Sequence, residues 1–401
     1  MNRVHYSYLT AALIDMMLGG LVLSFPYVAQ MLGAGNLGTI SNGIFALVYI
    51  LVCLVLSRHR IFKERRFSLV TGCLVFSFGC LVMLLGTTTA AMYYVPTLVS
   101  IGAAFFFPTL MPWMTEGMNR SGIVKTTGGY SVAWVTGYLM GPFLAGIILS
   151  SSLPFASRIN LIFGIAALVS FLVGLSFFWN LFQPCAAPET SPEEPPQEKT
   201  AITPERLLIF VKALWIANFL AFFLTGLIRY VFTELGKTEG LSPLWVGNVN
   251  SVLFGAFIAV ILVLHKARFW LFSPGWLMFF QFLAIPAILC FTYSRHMAVY
   301  FLGAVLFGIL SGFTFYSSTS YSLMLEGEKD KLININEALV GLGGFLSALA
   351  GYFFAQFIHV KLSFLPGLLL LAAATFSQTR LFARLKQTPE PSSLKNLRIE
   401  P

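Results

Sequence analysis

The chain consists largely of apolar segments, each near the roughly 20 residues that a helix needs to cross a bilayer. Hydrophobic residues make up 57% of its 401 residues and charged residues only 10%, whereas a soluble domain carries about 25% charged residues. In hydrocarbon every backbone polar group needs an internal partner, so only helices or closed barrels can span a membrane. The segments do not alternate strictly with polar residues, which favours helices over barrel strands.

Twelve such segments are predicted to be transmembrane helices, which makes the chain an all-α membrane protein. The predicted spans are residues 8–31, 36–57, 68–86, 91–113, 127–150, 158–181, 206–231, 243–264, 274–293, 296–322, 336–358 and 363–383.

Lysine and arginine residues cluster on one side of these spans. With the N-terminus placed inside, the inside segments hold 20 of the 25 Lys and Arg residues. Because basic loops stay in the cytoplasm, we expect a multi-pass protein of the cell (inner) membrane with both termini cytoplasmic. The net charge of +9 is spread over these short loops. We therefore expect the lipid bilayer as a partner and no nucleic acid.

The chain divides nearly in half at residues 182–205. This segment contains six prolines and five glutamates, a composition that cannot form an apolar core and predicts a flexible cytoplasmic linker. We expect an N-terminal six-helix bundle at 1–181, a C-terminal six-helix bundle at 206–383 and a basic cytoplasmic tail at 384–401.

The two predicted bundles show a weak internal repeat. The matched pairs are Asp15 with Asn218 at an offset of 203, and Glu116 with Glu326 and Gly141 with Gly351 at an offset of 210. A parallel repeat related by a pseudo-two-fold axis along the membrane normal is a known plan for transporters.

Span five carries a glycine and proline pattern that resembles the antiporter motif G-x8-G-x3-GP-x2-GG of the major facilitator superfamily. The matching residues are Gly128, Gly137, Gly141, Pro142 and Gly146, and Ala145 replaces one glycine. Small residues let two helices approach closely, and a proline bends a helix. The resemblance covers essentially the whole chain and implies the fold of that family. Ordinary tight helix packing is the alternative explanation for the pattern.

Two departures from the family pattern bear on proton coupling. The loop between spans two and three keeps its basic residues in Arg58–Arg66 but lacks the usual glycine and aspartate. Pro96 stands where the drug/proton antiporters of the family carry an arginine in span four. Both departures weaken the expectation of proton antiport by the usual route.

Asp15 is the most informative single residue. It lies about seven residues into the first predicted span, roughly 11 Å along the helix axis. A carboxylate at that depth is costly unless it is protonated, paired or hydrated, and such groups are usually functional. We interpret Asp15 as a proton, cation or substrate-amine site; a structural carboxylate bonded to a neighbouring helix is the alternative. Asn218 is expected at the matching depth of span seven.

Four further residues are candidates for a binding site. Arg229, near the predicted outer end of span seven, could bind an anionic substrate group or extend to the outer headgroups. Tyr130, Trp134 and Tyr138 share one helix face. They are interpreted either as the wall of a cavity for an organic substrate or as packing.

Charged residues at the predicted cytoplasmic ends of the spans are candidates for gating. Glu116 and Glu326 could form salt bridges with loop arginines such as Arg120, and solvated loop charges are the alternative. Glu337 is interpreted as a favourable charge at the N-terminus of span eleven.

No motif for an enzyme, a cofactor or a metal is present: there is no P-loop, no H-E-x-x-H, no G-x-S-x-G and no C-x-x-C pair. We expect a secondary transporter of a small organic solute that works by alternating access, with or without a coupled proton. Export is slightly favoured because the span-five motif resembles that of exporters. The alternative is a membrane sensor or assembly scaffold with a transporter fold.

Overall fold

The computed structural model describes residues 3–35, 37–58, 64–118, 120–181, 202–267, 269–325 and 328–385. This part of the chain is helical and contains no β-strand. Its α-helices are α1 (Arg3–Met31), α2 (Leu37–Arg58), α3 (Arg65–Leu85), α4 (Ala91–Met114), α5 (Arg120–Ser150), α6 (Phe155–Leu181), α7 (Pro204–Gly226), α8 (Phe232–Thr238), α9 (Pro243–Lys266), α10 (Pro274–Phe282), α11 (Ala284–Tyr293), α12 (Met297–Met324), α13 (Lys329–Phe357) and α14 (Pro366–Leu385).

Within these residues, 12 segments are long and apolar enough to cross a membrane, which confirms the predicted number of spans. Nine of them are single helices. The seventh crossing joins α7 and α8 through a π-helical turn at Leu227–Val231, the ninth joins α10 and α11, and the twelfth begins with a 3-10 turn at Val360–Phe364. The membrane-spanning all-α architecture is thus as expected.

Several predicted ends were wrong by more than a turn. Helices α5 and α13 each begin seven residues before the predicted start, at Arg120 and Lys329, and the seventh crossing continues seven residues past its predicted end, to Thr238. An apolar run indicates only the part of a helix that lies in the hydrocarbon, whereas the helix itself continues into polar surroundings. Residues placed near a predicted end can therefore lie well inside a crossing.

The crossings form two six-helix bundles. In the first, α1 packs on α5 and α6, and α3 packs on α4 and α6; in the second, α7 packs on α12 and α13, and α9 packs on α12. The bundles meet along two long seams, α5 with α9 and α2 with α13. We call the end of the bundles that holds the start of α1 the terminal face, and the other end the opposite face.

Most of the predicted linker lies outside the described residues, as does the tail beyond Leu385. The second bundle begins at α7, whose first residue is Pro204. The side chain of Thr203 accepts a hydrogen bond from the backbone N–H of Arg206, which caps the helix start. The extent of the linker stays a prediction.

Helix α5 approaches α1 so closely that side chains are excluded at two positions. A Cβ atom on Gly137 would collide with the carbonyl of Ala12, and one on Gly141 with the carbonyl of Met16. Ala145 replaces the next glycine of the motif, and its methyl group fits against α1. Even a Cβ added at the facing Gly20 would lie 3.6 Å from that methyl group, an ordinary van der Waals distance. Gly137 and Gly141 of the span-five pattern therefore pack α5 against α1 within the first bundle.

The same helix also faces the second bundle. A Cβ on Gly128 would lie 2.8 Å from Nδ1 of His265, and one on Gly146 would lie 3.2 Å from the carbonyl oxygen of Pro243. Between these two positions, a Cβ added on Gly247 of α9 would lie 2.7 Å from the carbonyl oxygen of Pro142. The residues of one motif thus divide between a seam inside the bundle and a seam between the bundles.

Helix α13 repeats this arrangement in the second bundle. Added Cβ atoms on Gly343 and Gly351 would collide with Phe223 and Val231 of the seventh crossing, while one on Gly341 would lie 2.9 Å from Ile50 of α2. Gly351, which the sequence repeat pairs with Gly141, packs on the seventh crossing as Gly141 packs on the first. This correspondence is what a parallel repeat requires.

A methyl group at Gly137 should destabilise the fold. Because it meets backbone rather than a flexible side chain, we expect Gly137→Ala to lower the free energy of unfolding by about 1–3 kcal/mol. Gly164→Ala is the matched control, since its Cβ would lie 3.9 Å from Leu84. It should be neutral or stabilising by up to about 1 kcal/mol. Thermal unfolding of both variants in detergent measures this; equal melting temperatures would contradict the close approach.

Candidate functional site: a charged cavity between the two bundles

A cavity of about 80 Å³ lies between the two bundles. Its wall combines residues of α1, α2, α4 and α5 with residues of α7, the π-helical turn, α12 and α13. Nine of the 18 residues that line it are aromatic, and three are ionisable: Asp15, Arg229 and Glu337. We refer to these three residues as the charged centre. An apolar, aromatic wall with a few polar groups is typical of sites for small organic molecules.

Asp15 lies at the middle of its helix. Since α1 begins at Arg3, Asp15 is roughly 18 Å from the helix start, deeper than the sequence indicated. The residue is 4% exposed, and Oδ2 has no hydrogen-bond partner among the described residues. It lines the cavity together with Arg229 and Glu337. Within the described part of the chain, Oδ2 of this carboxylate is thus not bonded to a neighbouring helix and is part of the polar centre of the cavity.

Arg229 belongs to the cavity and not to the outer end of its crossing. The crossing continues for nine residues beyond it, to Thr238, so its predicted position near the outer headgroups was wrong. Arg229 lies in the π-helical turn, and such turns often occur at functional sites. Its Nη2 donates to the hydroxyl of Tyr138 in the first bundle, and its guanidinium lies 4.3 Å from the ring centre of Tyr138 and 5.1 Å from that of Tyr230.

Glu337 is the site residue that sequence analysis missed. It is eight residues inside α13 and 5% exposed, and it accepts a 2.9 Å hydrogen bond from the hydroxyl of Tyr49 in the first bundle. It was assigned to a helix N-terminus because the apolar run begins only at residue 336. The available signal was periodicity, since Glu337, Gly341 and Gly344 recur at i, i+4 and i+7 on one helix face. All three residues line the cavity.

The three aromatic residues of α5 also lie in the cavity wall. Tyr130, Trp134 and Tyr138 are all buried. The indole ring of Trp134 packs edge-on against Phe315 at 4.9 Å and Phe257 at 5.4 Å, both in the second bundle. The helix face shared by Tyr130, Trp134 and Tyr138 is thus the face of α5 that points towards the second bundle.

Asn218, predicted as a candidate binding residue at the matching depth of span seven, is not among the residues that line the cavity. It is fully buried inside the second bundle, where its Nδ2 donates to Oδ1 of Asn336 at 3.1 Å. Ser318 donates to the same oxygen. Thr225 of α7 and Ser311 of α12 form a further buried polar contact in this bundle. Asn218 therefore holds helices of one bundle together, as buried polar pairs in membranes commonly do.

Ion pairs bridge the bundles at the terminal face. Glu116 pairs with Arg3 at 2.8 Å and with Arg65 at 2.9 Å, and Arg65 reaches across to Asp330 of the second bundle at 2.9 Å. Arg3 also lies 4.5 Å from the ring centre of Trp113. We call the contacts of Arg3, Glu116, Arg65 and Asp330 the terminal-face bridge.

Of the predicted gating residues, Glu116 therefore takes part in a bridge, through Arg65. Nothing is described of the side chain of Arg120, and Glu326 lies outside the described residues. The residue that receives Arg65 in the second bundle is Asp330, which the predicted span start had left in a loop.

A second bridge joins the bundles at the opposite face. Nζ of Lys237 donates to the carbonyl oxygen of Pro26 at 2.7 Å, lies 5.3 Å from the ring centre of Tyr27, and pairs with Glu234 at 3.3 Å. Pro26 has no amide hydrogen, so the carbonyl of Val22 lacks its helical donor. We call the contacts of Lys237, Glu234, Pro26 and Tyr27 the opposite-face bridge. The cavity thus lies between two bridged ends.

No group of three or more His, Cys, Asp or Glu side chains in the described ranges is placed to hold a metal ion. The chemistry of the cavity is instead that of charge pairing, hydrogen bonding and aromatic contact.

Solved structures of transporters share this fold. The human organic anion transporter MFSD10 (TETRAN) superposes with a TM-score of 0.71 at 15% identity, covering 94% of this chain and 98% of that one. A bacterial homologue of the human lysosomal transporter Spinster, in an inward-facing unoccupied conformation, gives a TM-score of 0.69 at 16% identity, covering 97% and 98%. At these identities the likeness is one of fold.

Sequence comparison gives a partial relative and a family. Multidrug resistance protein 2 of Bacillus subtilis (strain 168) is 31% identical over 102 residues. That stretch is 24% of this chain and 26% of the relative, so the match spans about a quarter of the relative's length. The sequence model of the Major Facilitator Superfamily matches residues 7–327, most of the chain. Together with the two-bundle fold, this match establishes that the chain is a member of the Major Facilitator Superfamily.

Proposed function

We propose that the chain is a secondary transporter that moves a small organic solute across the membrane by alternating access. The observation that supports this most is the cavity between the bundles, whose charged centre takes Asp15 from one bundle and Arg229 and Glu337 from the other. A group held jointly by two bundles changes its surroundings when the bundles move against each other.

The size of the cavity supports a closed state within such a cycle. A volume of about 80 Å³ is smaller than the roughly 150 Å³ that holds a benzene molecule. An organic solute therefore needs one end to open before it can enter. The bridges at the two faces are the contacts that must break, one at a time, to open the cavity to one side and then to the other.

For coupling and direction we propose that Asp15 carries a proton and that export is favoured over import. A carboxylate at mid-membrane depth beside an arginine can alternate between paired and protonated forms as the bundles move. The glycine and proline motif of α5 resembles that of exporters, and the partial relative is named for multidrug resistance. We further propose that the terminal face, which holds most of the basic residues, is cytoplasmic.

A sensor or scaffold would be expected to have a sealed, apolar centre in which Asp15 faces a packed helix. The charged centre counts against that alternative. Three ionisable groups, two of them buried and one partly buried, are expensive to maintain in a membrane, and such groups usually serve transport of an ion or a solute.

Weakening the terminal-face bridge should favour opening at that end. A partly exposed ion pair contributes about 0.2–1 kcal/mol, so we expect Arg65→Gln or Asp330→Asn to raise the open population by up to about fivefold. Cys53, fully buried one helical turn from Tyr49, is a native reporter. Its labelling by N-ethylmaleimide, followed by mass spectrometry, should accelerate by that factor.

The matched control for this measurement is Lys331→Gln, which removes an ion pair with Glu328 inside one bundle. It should leave the labelling rate of Cys53 unchanged. In the double variant of Arg65 and Asp330 the effects should not add, because both single changes break the same contact. Additive effects, or equal labelling in all variants, would show that this ion pair does not hold the face closed.

Transport itself should depend on Asp15. In proteoliposomes loaded with pyranine, we expect some of a panel of aromatic amines, acids and amino acids to change the internal pH beyond empty liposomes. Asp15→Asn keeps the shape of the side chain and removes its titratable proton, so this response should fall at least tenfold, whereas the exposed Glu328→Gln should retain it. A full response in Asp15→Asn would remove Asp15 as the proton site. No response to any compound in the parent protein would count against proton-coupled transport.

A further inference from the structure

Four residues of the cavity wall each keep one buried polar atom without a hydrogen-bond partner. Within the described part of the chain these atoms are Oδ2 of Asp15, Oε1 of Glu337, Nε1 of Trp134 and Nε of Arg229. Buried polar groups are nearly always paired, by protein or by something bound, because an unmade bond in a dry interior is costly. Four such atoms around one cavity indicate what its occupant must supply.

The four atoms divide into two kinds. The oxygens of Asp15 and Glu337 are acceptors when ionised, whereas the indole nitrogen of Trp134 and the guanidinium nitrogen of Arg229 only donate. They do not pair with one another: Arg229 instead donates to Tyr138, and Glu337 accepts from Tyr49. An occupant that satisfies all four must both donate and accept.

Charge and aromatic surface narrow the class of occupant. The two carboxylates favour a protonated amine, and the rings beside them favour a cation as well. The guanidinium of Arg229 favours an anionic acceptor such as a carboxylate. The remaining wall is apolar, with Phe45, Phe222 and Phe315 among its residues, and suits an aromatic body.

We propose that the solute is amphoteric: an aromatic or similarly apolar body carrying a protonated amine and a carboxylate or comparable acceptor. Its amine binds Asp15 and Glu337, and its acceptor binds Arg229 and Trp134. This inference rests on the proposed transport function and names the substrate class of the same cavity.

Simple amines and simple acids fit less well because each leaves some of the four polar atoms unpaired. An amine leaves the donors of Arg229 and Trp134 unpaired, and an acid leaves both carboxylates unpaired. A site with buried polar groups discriminates strongly against a ligand that lacks the matching group. We expect the amphoteric compound to bind at least about tenfold more tightly than either analogue.

Matched sets of probes test this directly on the purified full chain in detergent. One set is tryptophan with tryptamine and indole-3-propionate. A second is phenylalanine with phenethylamine and 3-phenylpropionate. A third, with its groups at opposite ends, is 4-(aminomethyl)benzoate with benzylamine and benzoate. In at least one set, the amphoteric member should raise the melting temperature by about 3 °C or more, and at a tenfold lower concentration than its analogues.

Variants assign the two ends of the ligand. Trp134→Phe keeps the ring and removes the N–H, and Arg229→Gln removes the charge. Each should abolish the preference over the amine while leaving amine binding within about threefold. Glu337→Gln should abolish the preference over the acid. Arg295→Gln, an exposed residue outside the cavity, is the control and should change neither preference.

Three results would overturn the inference: an amine or acid that stabilises as well as the amphoteric member in every set, no stabilisation by any set, or a preference that survives both Trp134→Phe and Arg229→Gln. Uptake of the same probes into proteoliposomes separates this inference from transport. Selective binding without flux would refute the proposed function alone. Flux of plain amines that is unchanged by Arg229→Gln would refute the amphoteric substrate alone.

Discussion

The close approach of α5 to its neighbours on two sides is the contact on which the arrangement of the bundles depends. On one side the carbonyls of Ala12 and Met16 occupy the space where Gly137 and Gly141 would carry a Cβ. On the other, Pro142 presents its carbonyl to Gly247 of the second bundle. In a membrane no hydrophobic force holds helices together, so packing of this kind supplies much of the association.

The position of α5 also explains why the cavity lies where it does. The face of α5 that meets the second bundle carries Tyr130, Trp134 and Tyr138, so the glycine contacts set the distance across which these rings face Phe315 and Arg229. Helix α13 does the same from the other bundle with Gly341 against α2. Backbone contact at the two seams thus fixes the width of a cavity whose wall is mostly side chain.

The architecture was predictable from sequence, because an apolar run of sufficient length has few alternatives in a bilayer. All twelve crossings and the packing role of the span-five motif followed from it. The position of Asp15 inside a span also followed, since a single carboxylate in an apolar run is conspicuous wherever the span ends. Its true depth did not, because α1 continues several residues beyond the run.

The positions of the remaining site residues were harder to predict, because they depend on where each helix begins and bends and on which neighbour each side chain faces. Glu337 looked like a helix end until α13 was seen to start at Lys329, and Arg229 looked peripheral until the π-helical turn and α8 extended its crossing. Asn218 shows the converse. The repeat matches the sequence position of Asn218 with that of Asp15. The side chain of Asn218, however, points into its own bundle, towards Asn336. Internal symmetry relates backbones, and it does not guarantee that side chains share surroundings.

The contacts inside the cavity differ in kind from those at its ends. The bridges at the faces are partly exposed, and an exposed ion pair contributes about 0.2–1 kcal/mol. The bond Glu337–Tyr49 is buried and the bond Arg229–Tyr138 is partly buried. Both involve charged groups, for which about 1.5–3 kcal/mol is typical. Both cross from one bundle to the other. In the proposed cycle, a solute that binds these charged groups therefore replaces the stronger polar contacts between the bundles with its own. The weaker bridges and the helix seams then oppose opening. The balance between open and closed states is thus set chiefly at the centre of the membrane, by what occupies the charged centre.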